Sequence, residues 1–163
     1  MFEKVNRESL LIIQELANDI WPQVYNDLLT EEQIAFMLEM MYSLDTLQRD
    51  WDRGVIYVIL KQDNEPVGFF GIEPNVPQNK TLRLHKLYLK KAFHGQGLGK
   101  AMLNEIERFA RELNLIKVNL NVNRQNAAVN VYKRQGYEIL FSEDIAIGNG
   151  FLMEDYQMEK VLD

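Results

Sequence analysis

A glycine-rich segment is the part of this sequence whose residue types and spacing point most directly to chemistry. Its seven residues, in order, are His94, Gly95, Gln96, Gly97, Leu98, Gly99 and Lys100. The segment follows a predicted strand and precedes a predicted helix, whose free amides and positive dipole end are directed at one place. Glycines let a ligand approach the backbone closely. The segment therefore predicts a phosphate or pyrophosphate site, with a ligand-free strand-to-helix turn as the alternative.

Two common phosphate-binding motifs do not fit this segment. A P-loop needs a glycine five residues before Gly99, where this chain has His94. It also needs a serine or threonine after Lys100, where the chain has Ala101. The dinucleotide-binding pattern, started at Gly95, needs a third glycine at the position of Lys100. Nucleotide hydrolysis and dinucleotide binding are therefore disfavoured.

A second segment, residues 121–137, carries small, polar and aromatic residues at regular intervals. Its anchor positions are Asn126, Ala127, Ala128, Tyr132, Gly136 and Tyr137. The two segments resemble motif A (Gln/Arg-x-x-Gly-x-Gly/Ala) and motif B (Asn-x-x-Ala-x-x-x-Tyr-x-x-x-Gly-Phe/Tyr) of the GNAT acetyltransferase superfamily. His94 departs from the usual first residue of motif A. The motifs have the family's order and spacing, and the resemblance covers about residues 55–160.

The resemblance implies an α/β (α+β) fold. Its sheet is mixed and mostly antiparallel, is flanked by helices, and splays into a V between the two central strands that carry the motifs. Acetyl-CoA, the implied cosubstrate, would enter this gap. Leu87, Tyr88 and Leu89 would pair with its pantetheine arm as an added strand would. Asn126 would hydrogen-bond the same arm, and residues 94–100 would hold the pyrophosphate, mainly through backbone amides.

Transfer of an acetyl group to an amine needs three further groups. Negative charge builds on the thioester oxygen, and a backbone N–H near Leu89 is the expected donor to it. The departing thiolate needs an acid that is protonated at neutral pH, which suits a phenol with a pKa of about 10. The resemblance assigns this role to Tyr132, with a core-packing aromatic as the alternative.

The third group is a base, because a primary amine with a pKa of about 10.4 is almost entirely ammonium at pH 7. If the third strand alternates regularly, His85 shares a face with Leu87 and Leu89 and points into the gap. His85 is therefore predicted to be the base, acting through water. A structural or solvent-facing histidine is the alternative.

Composition limits the class of protein. The chain has 163 residues, expected to form one domain over 1–163, with 47% hydrophobic residues, no cysteine and two histidines. No thiolate or metal site is therefore expected. No apolar run approaches the roughly 20 residues of a membrane helix, and the first residues lack the plan of a signal peptide, so we expect a cytoplasmic protein without a membrane partner. The net charge of -6 argues against nucleic acid and favours a cationic small molecule.

Periodicity predicts the order of elements. Two helices precede residue 50. Asn6 is the expected N-cap of the first, Pro22 interrupts or bends it, and Thr30 opens the second with a capping box. The predicted strands are 55–60, 67–72, 81–90, 115–122, 137–145 and 151–160, with helices at 101–114 and about 126–135. The helical region around Trp21 and Tyr25 would cover the acceptor pocket, mostly as core.

The sequence thus predicts transfer of an acetyl group from acetyl-CoA to a primary amine of a small molecule, in a ternary complex without a covalent enzyme intermediate. The layout of residues 93–100 and 154–160 resembles bacterial spermidine/spermine acetyltransferases, and the negative charge suits polyamines. Amino sugars, aminoglycosides, amino acids, and protein N-termini or lysines stay open as acceptors. A non-catalytic CoA-binding regulatory module is the rival class, against which Tyr132 argues. The resemblance also makes a homodimer possible.

Overall fold

Seven strands form one mixed sheet in the computed structural model, which describes residues 1–163. The strands are β1 (Phe2–Lys4), β2 (Ile56–Gln62), β3 (Glu65–Pro74), β4 (Thr81–Leu89), β5 (Lys117–Asn123), β6 (Glu138–Gly148) and β7 (Phe151–Val161). The helices are α1 (Leu11–Tyr25), α2 (Glu31–Tyr42), α3 (Leu44–Arg53), α4 (Leu98–Glu112) and α5 (Ala128–Arg134), none long and apolar enough to cross a membrane. The strand order is β1-β2-β3-β4-β5-β7-β6, and only β4 and β5 pair in parallel. The predicted mixed, mostly antiparallel sheet is confirmed.

The helices before β2 differ in number from the prediction. Thr30 caps α2 as predicted, because its Oγ1 accepts a hydrogen bond from the Gln33 amide at 3.1 Å. The reciprocal half of the predicted capping box is absent, and the Gln33 side chain instead donates to the Leu152 carbonyl at 2.9 Å. Asn6 makes no capping hydrogen bond, so its predicted role is wrong. The predicted second helix is two helices, because Ser43 is extended and its Oγ accepts a hydrogen bond from the Thr46 amide, which starts α3.

Two further features of this region depart from the prediction. Pro22 lies inside α1, which continues to Tyr25, so of the two predicted effects of Pro22 the interruption is wrong. Strand β1 was not predicted. It has three residues, paired with β2 in a register that sets Phe2 opposite Leu60, and three residues are too few for a periodic signal.

Helices cover both faces of the sheet up to β4. In β2, Val58 and Leu60 are buried with α4, whereas Tyr57 and Ile59 are buried with α1 and α2. Beyond β4, α4 and α5 cover one face. On β5 that covered face carries Val118, Leu120 and Val122, and the opposite face carries Asn119, Asn121 and Asn123. Strand β5 therefore presents a polar face on the side of α1 and α2.

Strands β4 and β5 part after a short parallel ladder. Their pairs run from Thr81 opposite Lys117 to Leu84 opposite Leu120 and then stop. From there β4 stays paired with β3, and β5 stays paired with β7. This is the predicted V-shaped splay between the central strands.

A β-bulge lies where the two strands part. Lys86 pairs with Gly71 and Leu84 with Ile72, which leaves His85 as the extra residue. The bulge breaks the alternation of β4, because Leu84 packs on the α4 side and Leu87 and Leu89 do so as well. The expectation that His85 shares a face with Leu87 and Leu89 is therefore wrong.

Candidate active site

The glycine segment joins β4 to α4 and leaves a run of backbone amides without partners in the chain. Gly95 and Gly97 have φ angles of +77° and +80°, a region that favours glycine. The first amide to bond into α4 is that of Ala101, which donates to the Gly97 carbonyl. The amides of residues 95–100 donate to no protein acceptor. They therefore form a set of donors at a helix N-terminus, as phosphate groups require.

The space in front of these amides is open. A Cβ placed on Gly95, Gly97 or Gly99 would meet no protein atom within 4 Å. A cavity of about 410 Å³ lies there, and every predicted cofactor-binding residue except Gln96 and Leu98 lines it. The residues present therefore fit a cosubstrate that carries a pyrophosphate.

Side chains of the segment also make contacts within the chain, and Gln96 Nε2 donates to the Ala92 carbonyl at 3.4 Å. The His94 ring donates from Nε2 to the Leu89 carbonyl at 2.8 Å, so it ties the loop to the end of β4. Leu98 packs against the core under α4. The atypical histidine of motif A thus has a partner in the chain.

The hydrogen bond of Lys90 indicates the direction in which the Leu89 amide points. The Lys90 amide donates to the Val67 carbonyl on β3 at 2.8 Å. Because amide directions alternate along a strand, the Leu89 N–H points to the other side, into the gap. This amide is available as a donor there.

A second cavity, of about 350 Å³, lies between the sheet and helices α1–α3. It shares five lining residues with the first: Leu87, Tyr88, Asn126, Ala128 and Tyr132. The Tyr132 side chain is 6% exposed, and burial raises its pKa. No protein group hydrogen-bonds the Tyr132 hydroxyl. Since every fully buried polar side-chain atom in the protein has a hydrogen-bond partner, this hydroxyl is not fully buried. The Tyr132 hydroxyl therefore opens on the place where the cavities meet.

A chain of hydrogen bonds spans this meeting point. Asn126 Oδ1 accepts from the Ala128 amide at 2.9 Å, and Asn126 Nδ2 donates to the Tyr25 hydroxyl at 3.3 Å. The Tyr25 and Tyr88 hydroxyls are 3.0 Å apart. Tyr25, expected mainly as core, thus links α1 to β4 and to the start of α5. The predicted contact of Asn126 with the CoA arm stays a prediction.

Sequence reasoning missed Lys86, which lines the second cavity. Its Nζ donates to the Met41 carbonyl at 3.0 Å, to the Tyr57 hydroxyl at 2.9 Å and to Asp50 Oδ2 at 3.3 Å. It also lies 4.4 Å from the centre of the Tyr42 ring. Burial lowers the pKa of Lys86 to about 8. A lysine among the apolar residues of β4 is unusual and was visible in the sequence. Its role was not visible, because its hydrogen-bond partners lie on other elements.

His85 reaches the second cavity from the bulge. Its Nε2 lies 3.5 Å from Glu73 Oε2, and Glu73 also accepts a hydrogen bond from Arg53 at 2.7 Å. Burial, aided by the charge of Arg83, lowers the pKa of His85. The imidazole is therefore largely neutral at pH 7, and its role as a base stays a prediction.

The chain is identified by its match to a known family. Residues 21–137 match the acetyltransferase (GNAT) family, so the chain belongs to that family. It is an acetyl-CoA-dependent N-acetyltransferase, which transfers an acetyl group to an amine.

Three known proteins are similar to it over most of the chain. The spermidine N(1)-acetyltransferase of Thermoplasma acidophilum is 28% identical over 157 residues, which cover 93% of each chain. The PaiA N-acetyltransferase of the same organism, solved in complex with coenzyme A, has a TM-score of 0.81 at 24% identity, over 99% of this chain and 98% of that one. A GCN5-related N-acetyltransferase from Rhodopseudomonas palustris has a TM-score of 0.82 at 16% identity, over 99% and 95%. The two structures share the fold described above.

The open space at the glycine segment predicts the effect of Gly99→Val. Gly99 does not have a positive φ, so valine adds no backbone strain of the kind expected at Gly97. Its side chain would fill the approach to the amides, and we expect the CoA dissociation constant to rise at least about tenfold while the melting temperature stays close to wild type. Calorimetric titration with CoA measures this. Asn104→Val, on the exposed face of α4, is the control. A CoA affinity unchanged in folded Gly99→Val would place the phosphates elsewhere.

The lowered pKa of Lys86 predicts a pH dependence of stability. Between pH 8 and the ordinary lysine pKa of 10.5, the unfolded chain keeps a proton that the folded protein releases, so stability rises with pH. The free energy of unfolding of wild type should therefore rise by about 2 kcal/mol relative to Lys86→Met between pH 7 and pH 9.5. Urea unfolding at both pH values measures it, with the exposed Lys91→Met as control. A difference independent of pH contradicts the desolvation of this ammonium.

Proposed function

We propose that the protein acetylates a primary amine of a small, polyamine-like molecule by direct attack in a ternary complex. One observation carries the proposal: the free hydroxyl of Tyr132 opens where the cavity of the glycine segment meets the cavity under α1–α3. The first cavity suits the cosubstrate and the second suits the amine. No covalent intermediate on the enzyme is needed, since both substrates reach the same point.

Each step then has a candidate group in the chain. Acetyl-CoA, when bound, supplies an acetyl group activated as a thioester. The amides of residues 95–100 hold its phosphates, and the Leu89 N–H donates to the oxygen that gains negative charge. Tyr132 stays protonated because burial raises its pKa, and it gives its proton to the departing sulfur.

The amine must lose a proton before it attacks, at a cost of about 4 kcal/mol at pH 7. His85, largely neutral and at the edge of the amine cavity, is the candidate base through water. Lys86 does not suit this role. Its three donors are directed at protein acceptors, and with a pKa of about 8 it is mostly protonated at pH 7.

The polyamine-like acceptor is supported by two observations. The 28% identical relative carries the name spermidine N(1)-acetyltransferase. The amine cavity is also rich in aromatic rings, whose faces attract alkylammonium groups. These rings belong to Trp21, Tyr25, Tyr42, Tyr88 and Tyr132.

The other sequence-based expectations on partners and location stay proposals. They are a homodimer, a cytoplasmic location, a single domain over residues 1–163 and the absence of nucleic-acid and membrane partners. Size-exclusion chromatography with light scattering tests the first of them.

Release of thiol from acetyl-CoA across a panel of acceptors tests the proposed function. The panel contains polyamines, monoamines, amino sugars, amino acids and peptides with free N-termini. We expect the highest kcat/KM with a polyamine. Binding of CoA without turnover of any amine would contradict the proposal and support a regulatory CoA-binding module.

The position of Tyr132 predicts a selective loss of turnover in Tyr132→Phe. Phenylalanine keeps the ring, which packs edge-on against Tyr137 at 5.6 Å between centroids, so stability and CoA affinity should change little. The proton donor is lost, and kcat at saturating amine should fall by roughly 10² to 10⁴, or less if water replaces it. Tyr137→Phe is the matched control, since its hydroxyl contacts Glu107 and not the cavities. A kcat of Tyr132→Phe within about twofold of wild type would make Tyr132 a packing residue.

A further inference from the structure

Two carboxylates line the amine cavity, and they differ in their partners. Asp50 accepts hydrogen bonds from Lys86 and Tyr57 and lies 3.5 Å from the Arg53 guanidinium. Asp155 is only 4% exposed, and its sole side-chain hydrogen bond is a long one, 3.4 Å from Asn121 Nδ2. Asp50 therefore has ion-pair partners within the protein, and Asp155 has none.

The cations near Asp155 are engaged elsewhere. Arg124 lies 2.8 Å from Asp144 and 3.9 Å from Glu154, and it reaches Asp155 only at the backbone carbonyl. Arg83 donates to the side-chain oxygens of Asn119 and Asn121. Asp155 thus has no ion-pair partner in the chain.

A second carboxylate adds to the negative charge at this place. Glu143 on β6 lies directly opposite Asp155 on β7, and its Oε1 accepts from the same Asn121 amide group at 2.7 Å. Like charges directly opposite each other on a sheet are destabilising. A cation bound at Asp155 would relieve this repulsion.

The rest of the cavity suits the hydrocarbon part of such a cation. Aromatic and methionine side chains make up its wall: Trp21, Tyr25, Met37, Met40, Met41, Tyr42, Tyr88 and Met153. Methylene chains pack well on such surfaces, and the ring faces favour ammonium groups. Asp155 and Tyr132 line this same cavity, and Tyr132 also lines the cavity of the cosubstrate.

The cations of the cavity do not outweigh its carboxylates. Lys86 is paired with Asp50, and Arg83 makes no ion pair but lies in the field of both Asp155 and Glu143. One positive charge against two negative ones leaves a negative net charge at this place. The chemistry therefore favours an acceptor with two amino groups over an amino acid.

We propose that Asp155, assisted by Glu143, binds a second, non-reacting ammonium group of the acceptor while its reacting nitrogen lies at Tyr132. The acceptor is then a diamine or a longer polyamine, and Asp155 determines that preference. This inference rests on the proposed function, since it concerns the acceptor of the same reaction.

The test compares acceptors that differ by one amino group. For wild type and Asp155→Asn, KM is measured with 1,4-diaminobutane, spermidine and butylamine, and the dissociation constant of spermidine is measured by calorimetry on the CoA-loaded protein. We expect Asp155→Asn to raise KM and the dissociation constant for the two polyamines by at least about tenfold, because a buried charge pair is lost. The KM of butylamine and the affinity for CoA should change by less than about twofold. Glu138→Gln, at an exposed residue of β6 that makes no ion pair, is the matched control and should leave all values unchanged.

A second variant, Glu143→Gln, tests the inference even if Asp155→Asn does not fold. Glu143→Gln keeps the cross-strand packing and should weaken spermidine binding by a smaller factor, about two- to fivefold. An equal rise of KM for butylamine and the polyamines, or unchanged spermidine binding in both variants, overturns the inference. Acetylation of monoamines without preference for diamines also overturns it, together with the polyamine-like acceptor, but leaves direct acetyl transfer to a primary amine intact. Absence of any acetylation defeats the proposed function, and calorimetry still decides whether Asp155 binds the polyamine.

Discussion

The separation of β4 from β5 is the constraint on which the rest of the site depends. Each strand keeps one partner beyond Leu84 and Leu120, so two unpaired strand edges face each other inside the protein. Buried backbone groups without partners are costly, so such a gap favours a ligand that can pair with it. The bulge at His85 follows the last pair directly, and bulges bend a strand and increase its twist. We infer that this one extra residue helps to turn β4 away from β5.

The features that could be predicted from the sequence are local ones. The glycine segment, the capping box at Thr30 and motif B each lie within a few consecutive residues, and each specifies a backbone conformation or a helix start. The break at Ser43 is also local, but a capping serine inside an otherwise helical pattern competes with the apolar periodicity on either side. The sheet topology followed from the family resemblance and not from periodicity alone.

The features that could not be predicted depend on contacts between distant segments. The predicted face of His85 was wrong because a bulge shifts the alternation between Leu84 and Leu87. Only the pairing with the neighbouring strand β3 defines His85 as the extra residue. Lys86 and Asp155 are charges in strands, which is unusual, but their environments come from helices and strands far along the chain. The sequence could therefore show that charged residues are unusual in these strands, but not that Lys86 and Asp155 line one cavity.

The two cavities of the site differ in the charge of the ligand that they favour. CoA is polyanionic and the chain has a net charge of -6, so overall charge opposes its binding. The glycine segment would overcome this locally, because the free amides of residues 95–100 and the α4 dipole lie where we propose that the phosphates bind. On the other side of the gap, the proposed acceptor site holds Asp155 and Glu143, which suit an ammonium group and not a phosphate. On this proposal a cosubstrate and an acceptor of opposite charge enter different cavities, and Tyr132 lies where the cavities meet.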